Sequence, residues 1–329
     1  MQTASPTSPR SPSSSPRVHA GLLLLLATPV LLALSLLAGP NGFAIPTEAL
    51  LELRLSRMLT GFAVGAALAC SGCALQAVLR NALAEPYVLG VSSGGSLGAA
   101  LAIATGLSMV TPFALPAGAF ILAALTLTLV CLISGRADSY TPNTLILVGV
   151  VTSSMLSSML MLVLTFANSR ALHGITWWLL GNLQATSWTL VLTVTALIAA
   201  AICILILHAK ELNALLLGAE TARNLGVRTR LALPLILAAT TLATAAAVSV
   251  SGIIGFVGLI VPHALRRIVG TNHRTLLPCA ALCGGVFLVL CDTLARLLCA
   301  PREIPVGVIT SLTGGPFFLY LLTRRNRRP

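Results

Sequence analysis

The sequence predicts an all-α protein that crosses a membrane about ten times. Of its 329 residues, 57% are hydrophobic and only 9% are charged, whereas a soluble domain usually carries about a quarter charged residues. Apolar runs recur along the whole chain, and a helix needs about 20 mostly apolar residues to cross the hydrocarbon core. No linker of any length separates these runs, so we expect one membrane domain over 21–329.

Ten apolar runs define the expected helices in chain order. Before the first run, residues 1–20 are mostly Ser, Pro and Thr and cannot bury enough surface to order themselves, so we expect a disordered cytoplasmic tail. The first run is long for the apolar part of a signal peptide, which favours a retained first helix. The third and eighth runs are short or rich in glycine, so hydropathy alone supports eight to ten crossings. The runs are 21–38, 58–79, 97–110, 113–133, 144–166, 189–207, 231–250, 253–269, 276–300 and 306–322.

The basic residues indicate the orientation of the chain. With ten crossings and the N-terminus inside, fifteen of the twenty Lys and Arg residues face the cytoplasm. This imbalance is what the positive-inside rule predicts for short loops. The net charge of +12 therefore indicates topology rather than a nucleic-acid partner. The five residues expected outside are Arg54, Arg57, Arg170, Arg296 and Arg302.

The stretch 86–98, PYVLGVSSGGSLG, carries glycines that fit three different motifs. A phosphate loop requires a lysine after its second glycine, and Ser96 stands there instead. The elbow of a nucleophilic serine would use Ser92, as in an intramembrane protease, but such a serine needs a base within hydrogen-bonding reach. None of the five histidines lies deep in an apolar run. We therefore expect neither nucleotide binding nor catalysis at this stretch.

Helix packing is the third interpretation of the same glycines. Gly90, Gly94 and Gly98 recur every four residues, which places them on one helix face. Small residues let helix backbones approach closely in lipid, where no hydrophobic drive brings helices together. Gly61 and Gly65 give the preceding helix a matching face. We predict that these two helices pack tightly against each other.

The eight cysteines lie inside apolar runs or at their ends. Cys70 and Cys73 form a C-x-x-C motif, but it falls in the middle of a predicted helix without the context of a redox site. Buried cysteines often act as small hydrophobic side chains. We expect neither a structural disulfide nor a metal site.

Only one of the eight carboxylates, Asp292, is expected inside the membrane. Arg296 follows four residues later, so the two side chains can pair on one helix face. Ion-coupled carriers keep a relay of ionisable residues in the membrane, and this chain offers no such relay. Its energy must come from elsewhere, or its flow is passive.

The longest polar interruption, 208–230, lies on the predicted cytoplasmic side. Within it, Gly218 and Gly226 bracket a short stretch and can start and stop a helix. Glu220 lies near the start of that stretch and Arg223 near its end, as the helix dipole favours. We expect a short helix that docks in the groove of a soluble partner.

The predicted outer face carries arginines and tryptophans with two possible roles each. Arg54 and Arg57 lie three residues apart, and they either solvate a loop or form forked bonds with carboxylates of an external protein. Trp177 and Trp178 either line a cavity for a bulky ligand or anchor the chain at the membrane interface.

The sequence resembles the permease family of binding-protein-dependent importers for iron chelates, haem and vitamin B12 (FecCD/BtuC type). The resemblance covers about residues 45 to 322. One departure is Ala82, which stands where the family has proline. The matching segments are LRLSR at 53–57, GAALACSG at 65–72, LGVSSG at 89–94, LGAETARNLG at 217–226, GIIGFVGLIVPH at 252–263, IPVG at 304–307 and Gly315-Pro316.

This resemblance implies a type II importer fold, in which a ten-helix subunit pairs with a second copy. An external binding protein, periplasmic or lipid-anchored, would deliver the cargo. The residues that match the family's arginines for docking that protein are Arg54, Arg57 and Arg296. The residues that match its cytoplasmic gate are Asn81, Leu83, Thr141 and Asn143.

The resemblance also implies two cytoplasmic ATPase subunits that dock on 212–227 and bind ATP and Mg. The chain itself would then bind no cofactor and catalyse nothing. The residues that match the coupling motif are Leu217, Gly218, Glu220, Ala222, Arg223, Leu225 and Gly226.

The expected function is therefore that of the permease subunit of an ATP-driven importer in a bacterial inner membrane. Its cargo is expected to be an iron siderophore, or else cobalamin or haem. The alternative that the residues leave open is a stand-alone secondary carrier or channel.

Overall fold

The computed structural model describes residues 15–39, 42–43, 46–136, 141–184 and 187–325, and nearly all of them are helical. Besides the helices, these residues include one antiparallel ribbon of β1 (Ala38–Gly39) and β2 (Gly42–Phe43). A single turn of 3₁₀ helix covers Pro86–Leu89. The α-helices are α1 Ser15–Leu37, α2 Glu48–Val78, α3 Val91–Ala104, α4 Leu107–Val110, α5 Ala114–Arg136, α6 Pro142–Phe166, α7 Ser169–Leu179, α8 Trp188–Leu207, α9 Ala209–Leu215, α10 Ala219–Asn224, α11 Thr229–Ser251, α12 Val257–Ile268, α13 His273–Leu297 and α14 Val306–Arg325.

Each predicted apolar run contains a helix, and the all-α membrane fold is confirmed. Six described helices are long and apolar enough to cross a membrane: α2, α5, α6, α8, α11 and α13. Shorter apolar helices occupy the runs of α1, α3 and α14. The run 253–269 is interrupted, because its first residues are irregular and α12 starts only at Val257.

The N-terminal boundary differs from the prediction. We expected a disordered tail over 1–20, but α1 begins at Ser15, so the last six of those residues are helical. Proline is tolerated in the first turn of a helix, where its missing N–H has no partner to lose, and Pro16 lies there. Residues 1–14 of the predicted tail lie outside the described part of the chain.

Helix α2 forms the centre of the protein. Of its apolar window, 83% is buried inside the chain, against 6% for α6 at the periphery. It packs against α13, α11, α8 and α12. Small residues allow this, because a side chain added at Gly65 would overlap the backbone of Gly284 in α13, and one at Gly72 would overlap Gly258 in α12.

The expected packing of α2 against α3 is not what the fold shows. Gly94 and Gly98 of α3 lie against α5, where a Cβ at Gly98 would overlap the carbonyl oxygen of Gly118. Gly61 of α2 instead contacts Leu183 and Val289. A row of small residues shows that another backbone comes close, but it does not specify which helix supplies that backbone.

Candidate functional site

The coupling segment, which we define as 208–230, folds into the two short helices α9 and α10. Gly218 (φ 108°) precedes α10 and Gly226 (φ 85°) follows it, in the left-handed half of backbone space that favours glycine. Glu220 lies in the first turn of α10 and Arg223 in its last turn. This is the helix that the glycine spacing predicted.

The two helices of this segment differ in what they expose. In α9 the side chains of Leu212 and Leu215 are buried. In α10 Ala222 is fully buried, whereas Leu217 and Leu225, at either side of the helix, are both 62% exposed. Exposed leucines next to charged residues are typical of a surface that another protein covers.

Hydrogen bonds attach the coupling segment to α13. Asn213 of α9 accepts hydrogen bonds at Oδ1 from the backbone N–H of His273 (2.9 Å) and from Nδ1 of its ring (2.8 Å). Its Nδ2 donates to Oδ1 of Asn272 (2.9 Å). A single amide therefore holds α9 to the first turn of α13, a contact that the sequence did not reveal.

The coupling segment also meets the end of α2. Arg80 ends that helix with a positive φ of 47°, a conformation that L-residues seldom adopt. Its Nη1 lies 3.3 Å from the position that a Cβ on Gly218 would take. A side chain at Gly218 would therefore meet both a strained backbone and the guanidinium of Arg80.

The predicted gate residues occupy two helix boundaries. Oδ1 of Asn81 accepts a hydrogen bond from the backbone N–H of Leu83 (2.9 Å), so this turn closes with Ala82 in place of proline. Thr141 caps α6 by accepting from the N–H of Thr144 (3.2 Å), and Asn143 is exposed. Within the described residues no hydrogen bond joins the Asn81 turn to the start of α6.

The arginine cluster, Arg54, Arg57 and Arg296, surrounds one buried carboxylate. Arg57 donates from Nε and Nη2 to Asp292, with distances of 2.8 to 3.0 Å, and from Nη1 to Glu303 (2.8 Å). Nε of Arg296 lies 3.3 Å from Asp292, which confirms the predicted pairing on α13. The main partner of Asp292 is nevertheless Arg57, from a different helix.

Arg54 completes the cluster by donating from Nη1 to the carbonyl of Leu36 (2.7 Å) at the end of α1. A small cavity of about 10 Å³ lies between the three guanidinium groups and Asp292. Arg57 is therefore not simply solvating a loop, since its side chain is only 15% exposed and it is bound by two carboxylates of its own chain. Glu303, the second of these carboxylates, has a side chain that is 44% exposed and is within reach of an incoming group.

A second polar group supports the break between α11 and α12. Irregular backbone at membrane depth must find partners inside the protein. The hydroxyl of Tyr87 donates to the carbonyl of Ile254 (2.9 Å) and accepts from its N–H (3.1 Å), and Glu85 accepts from the N–H of Phe256 (2.6 Å).

A large cavity opens between the α3–α5 connection and α7. It has a volume of about 770 Å³, and both tryptophans of the 177–178 pair line it. Both are half-buried. Lining a cavity is one of the two roles that the sequence left open, and the position of the tryptophans near the end of α7 is also compatible with the other, an anchor at the membrane interface.

The serine motif has no catalytic surroundings. Ser92 lies in the first turn of α3, and its backbone carbonyl accepts a hydrogen bond from Ser96 (2.7 Å). Among the described residues, no histidine is hydrogen-bonded to Ser92 or Ser93. The geometry offers no base that could activate a serine here.

These features define a class of protein before any comparison is made. The helical bundle has several candidate membrane spans. One connection, the coupling segment, exposes two leucines and two charged residues. The arginine cluster lies at the opposite ends of α2 and α13. The class they define is that of multi-pass helical membrane proteins.

Comparison with known proteins specifies the family. The model of the FecCD transport family matches residues 22–324, and the chain belongs to this family. It is 42% identical over 295 residues to the cobalamin import system permease BtuC of Halobacterium salinarum, covering 88% of this chain and 78% of that one. It is 39% identical over 287 residues to the hemin transport system permease HmuU of Yersinia pestis, covering 84% of each.

Solved structures agree with the family. A metal-chelate type ABC transporter in an inward-facing conformation aligns with a TM-score of 0.84 and 33% identity, covering 93% of this chain and 99% of the other. PsaBC from Streptococcus pneumoniae aligns with a TM-score of 0.58 at 18% identity, which is a likeness of fold alone. The chain is thus a multi-pass membrane permease.

Proposed function

We propose that the chain is the permease subunit of an ATP-driven importer that moves a metal chelate across a bacterial inner membrane. The observation that carries this proposal is the coupling segment. A purely passive pore does not need a short cytoplasmic helix of this kind. The segment exposes two leucines and two charged residues, and its inner side contacts the ends of α2 and α13. Relatives named for cobalamin and hemin import support the choice of cargo class.

In this proposal two ATPase subunits dock on α10. They bind ATP and Mg, and ATP supplies the energy for transport. The exposed side chains of the coupling segment that would contact the ATPase subunits are Leu217, Glu220, Arg223 and Leu225. Gly218, Gly226 and the buried Ala222 shape the helix and its seat rather than touching the partner. Closure of the ATPases moves α9, and α9 is bonded to α13 through Asn213.

A second copy of the chain completes the path in this proposal. Helix α6 is 6% buried and carries the run TSSMLSSML at 152–160, which mixes small polar and flexible apolar side chains. Ser154 and Ser158 each donate to the carbonyl four residues back, and each hydroxyl keeps acceptor lone pairs that water can use. Such a face suits a wet path between two copies, with the turn at Asn81–Leu83 and the start of α6 as its cytoplasmic gate.

The arginine cluster is the proposed docking point for the external binding protein. Glu303 occupies Nη1 of Arg57 at the exposed side of the cluster. A carboxylate of a partner protein can take that place and accept a charge-assisted hydrogen bond from the same Nη1. The stand-alone carrier remains the weaker candidate, since Asp292, the one carboxylate expected inside the membrane, is paired with two arginines of its own chain.

The test is reconstitution in vesicles with and without the ATPase subunits of the source genome. Arg223→Ala and Leu225→Ala should each weaken ATPase binding about tenfold, as loss of one central contact does, and should abolish ATP-driven uptake. Arg274→Ala is the matched control, since Arg274 is exposed on the same predicted face but lies outside the coupling segment. Uptake against a gradient by the permease alone would contradict the proposal.

A further inference from the structure

The α2–α3 connection, residues 79–90, is hydrogen-bonded to the irregular segment between α11 and α12, residues 252–256. The hydroxyl of Tyr87 donates to the carbonyl of Ile254 (2.9 Å) and accepts from the N–H of the same residue (3.1 Å). Ile254 has no exposed surface, so water does not compete for these backbone groups. One side chain therefore satisfies both polar groups of a residue that lies in neither helix.

Two further side chains extend this contact to the start of α12. Glu85 accepts from the N–H of Phe256 (2.6 Å), the residue that precedes α12 and whose own side chain makes no capping bond. Phe256 has a φ of 69°, which L-residues seldom adopt and which the surrounding structure must hold in place. Gln76, near the end of α2, donates from Nε2 to the carbonyl of Ala84 in the connection (3.2 Å) and to that of Gly258 in α12 (2.9 Å).

The same connection contains the predicted gate residues Asn81 and Leu83, and bonds of its own close it into a compact turn. The N–H of Ala84 donates to the carbonyl of Asn81 (3.0 Å), and the N–H of Leu83 donates to its Oδ1 (2.9 Å). Leu83 is 41% exposed. Since Glu85 and Tyr87 directly follow this turn, a displacement of the gate residues pulls on the bonds to the irregular segment.

On its other side the irregular segment contacts the end of α7. The N–H of Asn182 donates to the carbonyl of Ser251 (2.9 Å), and Asn182 is one of the residues that line the 770 Å³ cavity. A Cβ at Gly252 would overlap the carbonyl oxygen of Trp178. The irregular segment therefore lies between that cavity and the connection that contains the gate residues.

We infer that Tyr87 and Glu85 are positioning residues of the cytoplasmic gate. They fix the α2–α3 connection to the irregular segment, so that the two move as one unit when the path opens or closes. A helix that continued through 252–256 would satisfy its own backbone and leave the connection without these partners. This inference rests on the proposed import function and adds to it the residues that set the position of the gate.

The test measures amide hydrogen exchange by mass spectrometry on the full chain in nanodiscs. Tyr87→Phe removes only the hydroxyl. Glu85→Ala removes the acceptor for the N–H of Phe256, whereas Glu85→Gln keeps an amide oxygen that can accept the same bond. Ser96→Ala is the control, since it removes a buried hydroxyl that bonds only within α3.

Tyr87→Phe and Glu85→Ala should each speed exchange about tenfold at the amides of Leu83 and Ala84, as expected for the loss of one good polar contact. The acceptors of these two amides lie inside the connection and are not altered, so faster exchange there reports movement of the gate turn. Glu85→Gln and Ser96→Ala should exchange like the original chain at these positions.

Faster exchange confined to 254–258 would overturn the inference, because Tyr87 and Glu85 would then support the irregular segment without holding the gate. Equal exchange in Glu85→Ala and Glu85→Gln would remove the role of Glu85 as an acceptor.

The vesicle assay with the ATPase subunits gives a separate functional measurement. Tyr87→Phe should still hydrolyse ATP, because the coupling segment is unaltered. It should import about tenfold less of whichever probe the original chain imports, among ferrichrome, cyanocobalamin and haemin. ATP-driven import that is equal in the original chain and in Tyr87→Phe would leave the importer intact and the positioning role wrong. Absence of ATP-driven import in the original chain would instead contradict the proposed function.

Discussion

Asp292 lies in the buried part of α13, where guanidinium groups reach it from two directions. Its side chain is 6% exposed, and Arg57 and Arg296 both lie within 3.3 Å of it. A buried carboxylate without such partners would give up its charge. The pair on α13 follows from a spacing of four residues and was predictable. The bond to Arg57 joins residues 235 positions apart, and no local pattern encodes such a contact.

Removal of the Asp292 charge should destabilise the protein more than any change at the edge of the cluster. In Asp292→Asn the guanidinium of Arg296 loses its described counter-charge and that of Arg57 keeps only the more exposed Glu303, and breaking a buried pair in this way costs about 3 kcal/mol. Thermal unfolding of the purified protein in detergent measures the effect.

Glu303→Gln provides the control for that measurement. Glu303 bonds the same arginine but is 44% exposed, and exposed pairs contribute about 1 kcal/mol or less. If the two variants unfold at the same temperature, Asp292 does not hold the cluster together.

At the scale of elements, the sequence located the helices but not their neighbours. Hydrophobic runs found each span, and two glycines correctly bounded α10. The irregular residues 252–256 fell inside a predicted run. Hydropathy carries no information about the hydrogen bonds by which Tyr87 and Glu85 satisfy the backbone groups of this segment. The partner of each glycine face was also beyond prediction, since close approach is a property of two helices.

The contact between α2 and α13 makes Gly65 intolerant of a side chain. A methyl group there would overlap the carbonyl oxygen of Gly284. The positions of a Cβ and of a carbonyl oxygen are both fixed by the helix backbone, so neither group can rotate away. Overpacking of this kind typically costs about 1–3 kcal/mol. We expect Gly65→Ala to lower the unfolding temperature in detergent.

Gly315→Ala is the matched control for Gly65→Ala. Gly315 also lies inside a helix, α14, but a Cβ there would have open space around it. Since no neighbouring group meets that Cβ, this variant should lose less stability than Gly65→Ala. Equal losses in the two variants would show that glycine at position 65 matters for reasons other than the contact with α13.

At the scale of the whole molecule, α13 joins the coupling segment to the arginine cluster. Its 25 residues span about 37 Å at 1.5 Å per residue. His273 at its start is bonded to Asn213 of the coupling segment, and Asp292 near its end is bonded to the arginine cluster. Composition and charge predicted which face is cytoplasmic and which is external. They did not predict that one helix connects the two faces, because both links are long-range contacts.

The hydrogen bonds between Asn213 and His273 link the coupling segment to the start of α13, and their removal has a predictable consequence. In Asn213→Ala the backbone N–H and ring Nδ1 of His273, a residue that is 1% exposed, lose their acceptor. A buried donor without a partner costs about 1–3 kcal/mol, and α9 can relieve that cost only by moving away from α13. Backbone amides over 209–227 should therefore exchange about tenfold faster or more, as followed by mass spectrometry. Asn143→Ala, at an exposed position on α6, should leave that exchange unchanged. If exchange in Asn213→Ala matches the control, the coupling segment is held in place by its apolar contacts alone, and α13 cannot carry its movement to the arginine cluster through this bond.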